Sequence, residues 1–151
     1  MSSTSNQATP RRAFTLVEIM VVVVIIGILA SLAVAAFKRV QERSLASRIA
    51  NDLRQFDAAF QRYALENGGW PPPGAPGVVP AGMAAYLPDA YSRTTAVGGN
   101  FSWSGPAAKL YLLNGPPADP VMQRVDALLD DGNLATGDLV KTGNGYAKQL
   151  K

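Results

Sequence analysis

Residues 14–37 read FTLVEIMVVVVIIGILASLAVAAF, and the fold turns on how this stretch is read. From Ile19 to Phe37 only Gly27 and Ser31 fall outside the apolar set, and the segment carries no charge. About 20 apolar residues in a helix span the hydrocarbon core of a bilayer. A core helix of a small soluble domain keeps a polar face, and this stretch has none. It is therefore expected to cross a membrane.

The segment after Phe37 changes character abruptly. Leu45, Ile49, Leu53, Phe56, Phe60 and Tyr63 recur at intervals of three or four, the period of a helix with one apolar face. No proline or glycine occurs between Ile28 and Asn67, so nothing breaks the chain where the apolar run hands over to the amphipathic one. One helix from about Thr15 to Glu66 is expected, with a membrane half at 14–37 and an amphipathic half at 38–66. At about 1.5 Å per residue it would be ~80 Å long, more than twice a hydrocarbon core, so its second half stands in water. The stripe from Leu45 to Tyr63 then needs a cover.

Residues 67–151 are expected to supply it. Asn67, Gly68 and Gly69 end the helix, because glycine tolerates a left-handed C-terminal cap. WPPPGAPGVVP, residues 70–80, reads as an extended loop. A helical turn is expected at Met83 to Leu87, stopped by Pro88. NFSWS and AKLYLLN have strand length and strand composition and predict a hairpin. Asp119 and Pro120 suit an N-cap and first position for a short helix through Leu129. Asp138 to Val140 and Tyr146 to Leu150 predict one more strand or a hairpin, with Gly143 to Gly145 at its turn. The fold class is thus α+β, a long N-terminal helix packed on a small antiparallel sheet of three or four strands.

Composition removes much enzyme chemistry. Among 151 residues there is no cysteine and no histidine, which excludes disulfides, thiolate or imidazole metal ligands, cysteine nucleophiles and triads built on an imidazole base. No spacing of Ser, Asp or Glu proposes an active site, so no enzymatic role is expected. Net charge is +3, but Arg11 and Arg12 precede the apolar run; without residues 1–13 the balance is 12 basic against 11 acidic. The small polar stretch 1–10 reads as a disordered leader.

Function enters at RRAFTLVEIMVVVVIIG, residues 11–27. A carboxylate such as Glu18 beside an otherwise uncharged membrane helix is costly and asks for a partner. If the chain were cut between Ala13 and Phe14, the new amino group would lie one helical turn from Glu18. With its basic leader, small residue and FTLVEIMVVVVIIGILA run, the chain over about residues 11–66 resembles the type IV prepilin family, including the pseudopilins of type II secretion. The resemblance implies a pilin-like fold with a leader at 1–13, cleavage after Ala13 by a membrane prepilin peptidase, and N-methylation of Phe14. It further implies assembly through residues 14–37, with Glu18 and Thr15 at the assembly site. Its partners would be the peptidase, an inner-membrane assembly platform, membrane lipid, and copies of itself or other pilins in a filament. The chain would sit once through the cytoplasmic membrane, its head periplasmic or extracellular. Two features depart from the family pattern: Ala13 stands where glycine is usual before the cut, and Ala35 where many major pilins have proline.

The same residues admit three other readings. PRRAF with Ala33, Val34 and Ala35 resembles a twin-arginine signal cleaved after Ala35, which would release a soluble protein. Glu18 could instead mark the polar end of a static anchor. Lys38, Arg39, Arg43, Arg48, Arg54 and Arg62 could form a face for DNA, but the interleaved Glu42, Asp52, Asp57 and Glu66 favour a solvated or subunit-contacting face over nucleic acid. Lys38, Arg39 and Arg43 also flank the span, so charge counting alone does not orient it. No cofactor is expected. Asp126, Asp130, Asp131, Asn133 and Asp138 suit calcium if they suit any metal, yet EF-hand spacing is not met, and capping and turn formation explain these residues more simply.

Overall fold

The computed structural model describes residues 15–115 and 118–151. Helix α1 spans Leu16–Asn67, followed by β1 at Asn100–Trp103, β2 at Lys109–Leu113, α2 at Asp119–Leu129, β3 at Leu139–Thr142 and β4 at Gly145–Gln149. Short 3-10 turns occupy Asp89–Ser92 and Gly105–Ala107. The chain divides into two compact units, Met1–Lys38 and Arg39–Lys151.

In the first unit the sequence supplies strong helix continuity and no buried face. Every large apolar side chain from Leu16 to Phe37 is at least half exposed, the smallest value being 50% at Val22. The one hydroxyl within the run, Ser31, donates to the Ile28 carbonyl at 2.7 Å, so it presents no unsatisfied donor.

In the second unit the stripe finds its cover. Ile49, Leu53, Phe56 and Phe60 are buried, while Leu45 and Tyr63 pack partly buried at its ends. Ala46, Ala50 and Ala59 complete the buried face with small side chains. The four strands run in the order β1-β2-β4-β3, every neighbouring pair antiparallel. Phe101 stands opposite Leu112 and Trp103 opposite Leu110, and Leu112 in turn opposite Tyr146; all five are buried. Aromatic rings join the layers: Phe56 meets Phe101 edge-on with centroids 4.9 Å apart, and Tyr91 at 5.3 Å. Lys148, 9% exposed, reaches Asp57 of α1 at 3.0 Å.

α1 ends as the glycine pair requires, with Gly68 at φ 74°. The proline-rich segment does more than connect. Gly74 N–H donates to Trp103 O at 3.0 Å and Gly77 N–H to Phe101 O at 2.7 Å, while the Trp103 indole donates to Pro71 O at 3.0 Å. An open strand edge is a template for unwanted pairing, and this segment occupies the outer edge of β1. The turn expected at Met83 to Leu87 forms, with both Tyr86 and Leu87 N–H on the Met83 carbonyl at 3.0 Å.

Pro88 is extended and ends that turn, and a 3-10 turn at Asp89–Ser92, which the sequence did not announce, follows it and carries Tyr91 into the core. One local expectation changes. The N-cap of α2 is Ala118, and Asp119 is the first helical residue. The Ala118 N–H is bound by the Tyr146 hydroxyl at 3.0 Å, which frees the Asp119 carboxylate to accept from Tyr146 at 2.6 Å and from Lys141 at 2.5 Å.

Candidate functional site

Of the four residues expected at the cleavage and assembly site, Ala13 and Phe14 lie outside the described residues, and Thr15 and Glu18 are joined. The Thr15 N–H and hydroxyl donate to Glu18 Oε2 at 2.9 and 3.0 Å, and the Glu18 N–H donates back to Thr15 Oγ1 at 3.2 Å. This is a reciprocal capping box, the pattern T-x-x-E read from Thr15 to Glu18, and it satisfies amide donors that a helix start leaves open. The partner that Glu18 needs is thus partly local. Both donors meet Oε2, and among the described residues none meets Oε1. The T-x-x-E spacing of Thr15 and Glu18 carries the signal for this box in the sequence itself.

Around that polar start, α1 is long and apolar enough to cross a membrane. A helix that is apolar all round is matched either by lipid or by other apolar helices.

The basic face considered for DNA is broken up. Arg62 pairs with Glu66 at 2.8 Å, and Glu66 also accepts from the Tyr86 hydroxyl at 2.5 Å, which with Arg62 holds its carboxyl below the usual range. Arg54 donates to the Leu128 carbonyl at 2.7 Å. Glu42 faces Arg124 at 3.5 Å.

The acidic residues of the C-terminal region separate into two groups. Carboxylate oxygens of Asp126, Asp130 and Asp131 lie within 4.8 Å of one another. Asp130 accepts from the Asp138 N–H, and Asp131 accepts from the Asn133 N–H at 2.8 Å and the Thr136 hydroxyl at 2.6 Å. Asp126 is 0% exposed, and neither of its oxygens has a hydrogen-bond partner. Burial, reinforced by the charges of Asp131 and Asp130, pushes its carboxyl up to about 6. The Asp138 carboxylate faces away to Lys151 at 2.7 Å, and the Asn133 side chain caps the turn through the Ala135 N–H at 3.2 Å. Capping and turn formation therefore account for Asp131 and Asn133, and leave Asp126 unexplained.

Residues 9–34 match the family model described as the prokaryotic N-terminal methylation motif. The chain is 41% identical over 61 residues to the type II secretion system core protein G of Klebsiella pneumoniae, covering 40% of this chain and 44% of that one. The Escherichia coli K12 protein of the same description is also 41% identical over 61 residues, covering 40% and 42%. Fimbrial protein EcpC of Eikenella corrodens is 34% identical over 87 residues, covering 58% and 54%. The chain thus spans about half the length of the relatives it matches. No solved structure matches.

Proposed function

Because the chain belongs to the type IV pilin and pseudopilin family by its N-terminal region, we propose that it is a structural subunit of a pilus-like or secretion pseudopilus filament, not an enzyme. The observation that carries the reading is a helix apolar on every side, entered through a capped acid at Glu18. Hydrolysis of the Ala13–Phe14 bond by a prepilin peptidase would free an amino group one turn from Glu18. Thr15 then holds Oε2 while Oε1 remains open to that amine or to the amine of a neighbouring subunit. One carboxylate can cap its own helix and align an incoming one, with no stage at which it stands bare in lipid. The anchored subunit sits once through the cytoplasmic membrane, and on assembly the apolar half exchanges lipid for neighbouring helices. The head sets contacts along the filament.

The test is the mass of the intact protein and its N-terminal peptide from native membranes. A chain starting at N-methylated Phe14 supports the reading. A start at Ala36 would make it an exported soluble protein, and an uncut chain a static anchor.

A further inference from the structure

We propose that Arg39 and Arg43, with Lys38 before them, bind the phosphate headgroups of anionic phospholipids. Between Glu18 and Asp52 the chain has one acid, Glu42, against four cations, Lys38, Arg39, Arg43 and Arg48. Glu42 stands four residues after Lys38 and three after Arg39, spacings at which helix neighbours pair. It turns instead to Arg124 of α2, at 3.5 Å. Farther along α1, Arg54 is held by the Leu128 carbonyl and Arg62 by Glu66. Arg39 and Arg43 are exposed, and among the described residues neither forms an ion pair. The one acid that could have neutralised them is spent on holding α2.

Position supplies the partner. Arg39 and Arg43 share a helix face at the i, i+4 spacing and come two and six residues after Phe37, where the apolar run ends. At about 1.5 Å per residue that is ~3 and ~9 Å along α1. The headgroup layer extends about 5–7 Å beyond the hydrocarbon core, within reach of a flexible guanidinium at either position. Arg48, ~16 Å along, stands clear of that layer. The groove beside Arg43 adds no opposing charge, being lined by Ala46, Ser47, Arg124, Ala127 and Leu128. A guanidinium gives a phosphate two parallel hydrogen bonds, and cations of one sign over a low-dielectric layer raise the local concentration of anions. A carboxylate of a second copy is the rival occupant; the entry of Lys38 and Arg39 straight from the apolar run favours lipid, which the span brings with it. The inference rests on α1 crossing the membrane and not on the filament reading. If the subunit does enter a filament, these contacts hold it in the bilayer until it leaves.

Two measurements on the full chain keep the span and the inference apart. Flotation with phosphatidylcholine vesicles reads the span alone, and a chain that does not float overturns both. In neutral detergent micelles offered equal phosphatidylglycerol and phosphatidylcholine, native mass spectrometry should find phosphatidylglycerol retained in preference, by about fivefold for each arginine engaged. The double variant Arg39→Gln/Arg43→Gln, at two exposed positions, should lower that preference by on the order of 25-fold. Arg48→Gln should keep it, and excess inorganic phosphate should not displace the lipid. A wild-type chain that floats but retains both lipids equally overturns the proposal, as does a double variant with the wild-type preference. An Arg48→Gln loss as large as that of the double variant would reduce the effect to net charge, and displacement by phosphate would make it a site for free anions; either overturns the proposal. A double variant that loses self-association and keeps its lipid would assign the arginines to a second copy of the chain, and overturns it too.

Discussion

Phe60 of α1 stacks on Trp103 of β1, with ring centroids 4.0 Å apart and planes inclined by 18°. Both side chains are fully buried, and the indole is further fixed by its bond to Pro71. One contact therefore joins the helix, the edge strand and the proline-rich segment that covers that strand. Offset aromatic pairs add about 0.5–1.5 kcal/mol beyond the area they bury.

Removing Phe60 should accordingly loosen three elements together. Phe60→Ala is expected to destabilise the head by about 3–5 kcal/mol, the range for truncating a buried phenylalanine. Phe60→Leu should cost less, since it restores volume without the stack. Urea unfolding of the full chain in micelles, followed by Trp fluorescence, measures both; equal losses for Ala and Leu would show that the ring geometry contributes most of the effect.

Lys148 and Asp57 form the charged counterpart of that joint, at 3.0 Å with side chains only 11% and 22% exposed. Taking away one partner leaves the other short of hydrogen bonds in a half-buried place, at a cost of about 1–3 kcal/mol. Asp57→Leu alone and Lys148→Met alone should each fall in that range. The double variant should recover most of the loss, because apolar replacement of both partners removes the desolvation penalty with the attraction. A double variant as unstable as the sum of the singles would contradict this.

What could be read in advance follows from which signals are local. The stripe of α1 was legible because burial of one helix face imposes a period, and Ile49, Leu53, Phe56 and Phe60 fall where that period puts them. The β1–β2 hairpin was legible because branched and aromatic runs lie between glycines and prolines, whereas the C-terminal region reads equally as one strand or as the pair β3 and β4. The 3-10 turn at Asp89–Ser92 was not legible, since DAYS has no period and is shaped by the burial of Tyr91. The capping box could have been found from T-x-x-E. Asp126 stands out in the sequence among the acids of its region, because it shares with Met122 and Val125 the apolar face of α2, where an acid is out of place. Its surroundings, by contrast, depend on the fold of a loop nine residues long, 130–138.

Asp119 gives an acid limb to stability with a definite sign. Lys141 first, and then the Tyr146 hydroxyl, hold its carboxyl below the usual aspartate range in the folded chain. A depressed folded value means that the unfolded chain takes up its proton first. The stabilisation is therefore complete above about pH 4, the ordinary aspartate value, and is lost as pH falls through the lower folded value. Asp119→Asn should be less stable than wild type at pH 7, and the difference should shrink on acidification toward pH 2. Tm measured at half-unit steps checks this, and a difference that stays constant with pH would exclude the linkage.

Thr15 offers the sharpest test of how Glu18 is used. Thr15→Ser keeps the hydroxyl that both donates to Oε2 and accepts the Glu18 N–H, whereas Thr15→Ala removes it and leaves only the backbone bond. Losing an N-cap side chain costs about 1 kcal/mol, close to a fivefold change in an equilibrium. Under the filament reading, Thr15→Ser should assemble like wild type. Thr15→Ala should be cleaved normally and enter filaments roughly fivefold less, with Glu18→Ala losing more because it removes both the cap and the open oxygen. The measurement is the ratio of sheared filament to membrane-held subunit by immunoblot, alongside the mass of the mature chain. Equal incorporation of Thr15→Ala and wild type, with Glu18→Ala impaired, would show that assembly uses the free carboxylate oxygen alone and that the cap serves only the helix it begins.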